Sequence, residues 1–269
     1  MASPGAGIPI PSVPNLRDLG GWPTRGDGRV RRGLLYRSTA LSSLRDDDVA
    51  AFAKLGIRSV YDLRTSAERD AQPDRVPHGA QEVVVDVLGD SAGAAPAQLM
   101  QVLSDPAAAT PMLDGGKALA LFERGYREIV RLPSALTAYR RLFTDLADAA
   151  HRPALFHCAT GKDRTGWAAA VMLSLLGVSV EDVMQEYLLT NEQLLPALHG
   201  MFDRFKAGGG DPDLLLPVLG VRREYLEAAF DEMRGLFGSL EGYLGDGLGI
   251  DDATIERLRA AFTEKKPLD

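Results

Sequence analysis

The chain has 269 residues, 45% of them hydrophobic and 25% charged, which is the composition of an ordinary globular protein able to bury a sizeable core. Its formal net charge of −7 argues against a broad basic face for nucleic acid, so any basic site must be local. Cys158 is the single cysteine, which excludes an internal disulfide and makes a thiol beside His157 a candidate nucleophile, the plainer alternative being a small buried hydrophobe.

Residues 1–14 are rich in Pro, Gly, Ser and Ala and have neither the positive start nor the apolar centre of a signal peptide. They are expected to form a flexible tail before a single domain over 15–269, in a protein that is cytoplasmic or secreted without a recognisable signal. Over 29–87, β-rich runs at 33–37, 58–63 and 82–87 alternate with a helical pattern at 45–55, which points to an α/β fold. The Ser43-Leu44-Arg45-Asp46 stretch has the form of a capping box, and Gly56 suits the stop of that helix. Residues 89–116 carry little periodicity and read as a long excursion; with the helical pattern that follows, 89–135 is a candidate lid. Helices are expected at 117–131 and 134–149, then a short strand at 153–157 leading straight into Cys158, then a loop and a strongly apolar helix. The apolar run over 167–177 is too short to span a membrane. Beyond it the pattern is almost wholly helical, near 180–194, 197–206, 221–237 and 251–263, with a break at Gly208-Gly209-Gly210.

The informative stretch is His157-Cys158-Ala159-Thr160-Gly161-Lys162-Asp163-Arg164-Thr165-Gly166, a cysteine, five residues and an arginine between a strand and a helix. A loop curled at a helix N-terminus aims several backbone N–H groups and the positive dipole end at one point, as a phosphate requires. Gly161 relaxes the tightest turn, and the planar fork of Arg164 matches two phosphate oxygens. The same surroundings favour a thiolate at Cys158. His157 is expected to fix the loop, and Thr165 to offer its hydroxyl to the sulfur. Taken singly, each piece has a bland reading: a core His-Cys, a solvated Lys162–Asp163 pair, a Gly166 that merely permits helix packing. The fixed spacing in a strand–loop–helix context outweighs these.

These residues resemble the signature of the cysteine-based protein tyrosine phosphatases, and Cys158 to Gly166 is similar to the bacterial PtpB and LipA type. The resemblance extends to Asn15-Leu16-Arg17-Asp18-Leu19-Gly20-Gly21, to Leu35-Tyr36-Arg37-Ser38, to Asp62-Leu63-Arg64, and to the Tyr243-Leu244 and Ile255 region. It implies a mostly parallel sheet flanked by helices, a helical C-terminal part, and dual or triple specificity for phosphotyrosine, phosphoserine or phosphothreonine, and phosphoinositides, with no metal or other cofactor. Phosphoprotein or phosphoinositide would be the partner, with no nucleic acid and no integral membrane segment. Lys162 suits a second phosphate, although Asp163 partly cancels its charge. The Lys-Asp-Arg order suggests Asp163 as general acid, with Asp86 and Asp90 as alternatives on a separate loop. The plainer reading of Asp163 is an ion pair with Arg17 or Arg64. Arg64, at a strand end, is placed to touch substrate, Arg17 to support the loop, and Asp18 to brace Arg17 or a loop amide.

Two other readings share the loop cysteine. A phosphate-binding module without catalysis would not need Cys158, Arg164 and Thr165 together. A sulfurtransferase would not need the Arg-Thr-Gly run, and an arsenate reductase normally needs further thiols. With no second cysteine to rescue an oxidised Cys158, either a covering lid or ready inactivation by peroxide is expected.

Overall fold

The computed structural model describes residues 3–91 and 106–265, and in it the β-rich runs assemble into one mixed sheet. The strands are β1 (Arg17–Asp18), β2 (Gly28–Val30), β3 (Leu35–Ser38), β4 (Ser59–Asp62), β5 (Gln81–Val84), β6 (Ala154–His157) and β7 (Thr263–Lys265). The sheet order is β1-β3-β6-β4-β5; β1 is antiparallel to β3 and the other pairings are parallel, while β2 and β7 form a separate antiparallel pair. Every residue of β3, β4 and β6 is buried, because helices cover both faces of a parallel sheet. Each of these strands nevertheless ends on a polar residue, and the register sets Ser38, His157 and Asp62 side by side at the carboxyl edge. In an open α/β sheet that edge is where ligands bind.

The longer helices are α1 (Asp46–Ala53), α2 (Ser66–Ala71), α3 (Pro106–Leu113), α4 (Lys117–Arg131), α5 (Pro133–Leu146), α6 (Arg164–Leu175), α7 (Val180–Leu194), α8 (His199–Ala207), α9 (Arg223–Phe237) and α10 (Asp252–Phe262). All of α6 except Ser174 is buried, so the helix that follows Cys158 runs through the middle of the core. Gly166 lets it approach α7: a Cβ there would lie 3.0 Å from the Tyr187 ring. Helix α4 packs along α9, with Phe122 stacked on Tyr225 at 5.1 Å between ring centroids. No helix among the described residues is long and apolar enough to cross a membrane.

Two local expectations are corrected. Ser43 does not cap α1; it closes a 3-10 turn, Leu41–Ser43, which Leu41 and Leu44 anchor by burial, and the N-cap residue Arg45 offers no side-chain bond. The cap comes from Ser12 instead, whose Oγ accepts from the Arg45 amide at 3.1 Å and donates to Asp48 at 2.5 Å, while the Ser12 amide donates to Asp48 at 3.0 Å. The segment expected as a flexible tail is therefore anchored at several points from Gly5 onward: Ile10 and Val13 are buried with Leu41, Phe52 and Val60, and Gln193 donates to the Gly5 carbonyl. Apolar residues too sparse to show a period still fill one side of the sheet. Of the candidate lid over 89–135, residues 92–105 lie outside the described residues.

Candidate active site

The loop after β6 turns its carbonyls outward, and buried donors hold them there. The Ala40 amide donates to the Ala159 carbonyl at 3.1 Å, and Asn15 Nδ2 reaches the carbonyls of Thr160 at 3.4 Å and Gly161 at 3.0 Å. Arg37 Nη2 donates to the same Gly161 oxygen at 2.7 Å, and the Asp163 carbonyl accepts the first helical bond of α6, from Trp167. Among the described residues, the amides of Ala159 to Asp163 donate to no protein acceptor. Gly161 and Lys162 are buried, where amides without partners are rare, and such amides curled at a helix N-terminus suit an anion-binding concavity. Gly161 sits at φ +67°, and a Cβ there would overlap the Ser38 carbonyl, so the turn admits only glycine.

Cys158 is 1% exposed at the base of this loop, and Arg164 is held across it. Glu68 grips the Arg164 guanidinium in a two-pronged pair, 2.7 Å at each oxygen, and the Leu63 carbonyl accepts from Nη1 at 3.3 Å. Burial pulls the Arg164 pKa down, but the charges of Cys158 and Glu68 outweigh it and the group stays firmly protonated. Burial likewise raises Glu68, and the bonds from Arg164 more than reverse this, leaving its carboxyl below the usual range. Thr165 Oγ1 is buried without a partner among the described residues. His157 Nδ1 lies 3.2 Å from the Cys158 carbonyl, which ties the ring to the loop, and its Nε2 lies 3.0 Å from an Asp74 oxygen without hydrogen-bond geometry.

The arginines part company. Arg64 is buried and not, as expected, open to substrate: its guanidinium is taken up by Asp62, by Asp74 at 2.8 Å and by the Gln72 carbonyl, so it buttresses the sheet edge. Arg17 is fully buried behind the loop, bonded to Glu186, Asn15 and Thr190. Burial, then the neighbouring Arg37, lowers its pKa to about 10. Asp18 accepts from the amides of Gly20 and Gly33 and does not pair with Arg17.

Asp163 pairs with neither Arg17 nor Arg64. Its Oδ1 accepts from Lys162 Nζ at 2.8 Å and from Tyr126 Oη at 2.9 Å, and Tyr126 Oη lies 2.6 Å from Tyr187 Oη. Lys162 is 4% exposed, with its ammonium 4.2 Å from the centre of the Phe122 ring. Its amide belongs to the loop, but its ammonium is taken up by Asp163 and by the ring of Phe122 on α4. Asp90 caps α5, accepting from the Ser134 amide at 2.7 Å, and Asp86 accepts from the Leu88 amide at 3.0 Å; both follow the outer strand β5, two strands from β6. The residues missed from sequence are Glu68, Asp74, Tyr126 and Glu186, while Asn15 and Arg37 stood there only as members of stretches that resemble the family, without a role. Only Thr65-Ser66-Ala67-Glu68 carried a legible signal, a capping box that the structure contains in full.

Comparison with known proteins bears on this geometry. A family model described as the tyrosine phosphatase family matches residues 8–264. The triple specificity protein phosphatase PtpB of Mycobacterium tuberculosis is 32% identical over 277 residues, covering 94% of this chain and 98% of that protein. A Cupriavidus necator protein named as a candidate tyrosine-protein phosphatase is 29% identical over 258 residues, 91% of this chain and 85% of that one. A tyrosine-protein phosphatase of Nostoc commune is 26% identical over 230 residues, 83% of this chain and 72% of that one.

Proposed function

The chain belongs to the tyrosine phosphatase family, and from that premise we propose that it hydrolyses phosphotyrosine through a phosphocysteine intermediate. In the first step the Cys158 thiolate attacks phosphorus, an S–P bond forms, and the P–O bond to the leaving group breaks. Asp163 gives its proton to the departing oxygen. In the second step water attacks phosphorus, Asp163 takes the water's proton, and the thiolate leaves with inorganic phosphate formed. The unpartnered amides of Ala159 to Asp163, with Arg164 held across from them, carry the growing charge of the phosphoryl oxygens in both steps. The run of unpartnered loop amides beside a buried thiol is the observation on which the reading rests.

Thr165 would donate its hydroxyl to the sulfur as it leaves phosphate, a role supported by an Oγ1 that is buried without a partner among the described residues. Asp163 is preferred over Asp86 and Asp90 as the acid because it is part of the loop, whereas Asp90 is occupied as the cap of α5. The triple specificity in the name of the mycobacterial relative supports testing several ester classes. Phosphoinositides with a second phosphate draw less support from Lys162, whose ammonium is engaged by Asp163 and Phe122. The 89–135 segment remains a candidate lid, with Phe122 and Tyr126 of α4 already seated over the loop.

Hydrolysis of a phosphotyrosine peptide, a phosphoserine peptide and a phosphoinositide panel by wild type, Cys158→Ser and Asp163→Asn, without added metal, tests this. Turnover abolished by Cys158→Ser, and an Asp163→Asn loss largest on poor leaving groups, is the expected result. Tight phosphate-ester binding with no turnover on any ester would replace the reading with a binding module.

A further inference from the structure

Behind the loop lies a cluster of charge that the two hydrolytic steps do not use. Arg17 and Arg37 are both fully buried, Glu186 is 1% exposed, and the three are joined: Arg17 Nε donates to Glu186 Oε1 at 2.6 Å and Arg37 Nη1 to Oε2 at 2.7 Å. Two cations share one anion, so the cluster keeps one net positive charge away from solvent. Burial raises Glu186, and the two arginines more than reverse that, so it remains ionised and anchors both. Among the described residues Arg37 Nε has no partner, and the remaining bond of that guanidinium goes to one acceptor, the Gly161 carbonyl, at 2.7 Å. Asn15 Nδ2 donates to the same oxygen at 3.0 Å. Asn15 is held at φ +60°, the sole residue other than glycine with a positive φ among the described residues, and Arg17 Nη1 donates to both its carbonyl and its Oδ1.

A peptide unit is planar and trans, so the N–H of Lys162 points opposite to the Gly161 carbonyl, away from Arg37 and Asn15 and toward the concave side of the loop. A charged donor on the carbonyl oxygen draws electron density through the unit and makes the N–H at its other end a stronger donor, the cooperativity of hydrogen-bond chains in a low dielectric. We propose that Arg37, oriented by Glu186, is a positioning residue that polarises the Gly161–Lys162 peptide, making the Lys162 amide the loop's strongest neutral donor to the phosphoryl oxygens. Asn15 assists at the same carbonyl and Arg17 keeps Asn15 and Glu186 in place. This rests on the phosphatase reading of the loop. It assigns the Asn15, Arg17 and Arg37 stretches a task in transition-state binding that none of them performs by touching substrate.

Arg37→Met tests it, because Glu186 would still be paired with Arg17 and Asn15 would still hold the Gly161 carbonyl, leaving the buried charge balanced. Three readouts are taken: steady-state hydrolysis of a phosphotyrosine peptide, the Kd of orthovanadate, and the Lys162 amide proton resonance in the vanadate complex. Removal of a whole oxyanion donor costs about a hundredfold or more, so weakening one predicts a drop in kcat of about tenfold, with KM nearly unchanged. Vanadate binding weakens by a similar factor, and the Lys162 amide proton moves upfield. A role confined to stability would lower the unfolding temperature and leave all three unmoved in folded protein. A folded Arg37→Met with wild-type kcat, vanadate affinity and Lys162 resonance overturns the proposal. Should Arg37→Met fail to fold, Asn15→Gly keeps the backbone conformation and removes the second donor; a shift of the same sign supports the proposal, and none overturns it. Hydrolysis insensitive to Cys158→Ser would defeat the phosphatase reading instead, and the vanadate and amide readouts would still judge the polarised peptide.

Discussion

Lys162 and Tyr126 both donate to Oδ1 of Asp163, so in the proposed mechanism Oδ2 is the oxygen left to carry the transferable proton. Burial first, and then the charge of Asp163, holds the Tyr126 hydroxyl well above its ordinary pKa, so it remains a donor across the working pH range. Tyr126→Phe removes that donor without emptying the ring's site. Its expected effect is a fall in kcat of about tenfold on phosphoserine peptide, a part of the 10²–10⁴ that general acid catalysis supplies. Hydrolysis of p-nitrophenyl phosphate, whose leaving group needs no proton, should be nearly unchanged. Equal losses on both esters would show that Tyr126 acts on the loop as a whole. Nothing in the spacing of Tyr126 could have announced this contact, because 37 residues and a whole helix separate it from Asp163.

Helix α2 illustrates how a local signal serves the site. Its capping box joins Thr65 and Glu68 reciprocally, and the Glu68 carboxylate that closes the box also grips Arg164. A six-residue helix could not be stable by itself, and this double use fixes its start at the sheet edge. The two tasks separate by mutation. Thr65→Ala should lower stability by about 1 kcal/mol, the usual loss of a cap, with Arg164 still paired. Glu68→Gln should reduce kcat by about a hundredfold, since a misplaced guanidinium forfeits alignment that proximity effects depend on. Chemical denaturation and steady-state kinetics on the two variants measure both. The box pattern was legible in the sequence; its partner, 96 residues on, was not.

Across the molecule, acid should undo the site and the fold together. Glu68 and Glu186 each have a folded pKa below the ordinary 4.5, because their arginine partners outweigh burial. A depressed carboxyl contributes stability that is fully present above its unfolded value and is lost as pH falls through the folded one. The unfolding temperature should therefore hold down to about pH 4.5 and decline below it, and Glu68→Gln should show a shallower decline. The N-terminal segment belongs to this scale as well. Ile10→Ala should lower the unfolding free energy by about 2–5 kcal/mol, because Ile10 fills a cluster with Leu16, Tyr36 and Phe52. A loss under ~0.5 kcal/mol by denaturant titration would return the segment to the status of a tail.

By itself the sequence determined four strands of the central sheet and most of the longer helices in chain order, the Cys158-to-Arg164 loop and the need for Gly161. These depend on periodicity and spacing between near neighbours, which a chain states directly. Only the tertiary structure decided the pairing of the buried charges: Arg64 with Asp62 and Asp74, Arg164 with Glu68, Arg17 and Arg37 with Glu186. Most of those partners lie far apart along the chain, and a buried arginine looks like any surface arginine until the sheet and helices close around it. Low dielectric then makes each pairing obligatory, because a charge shut away from water must find its counterion or its hydrogen bonds inside the fold.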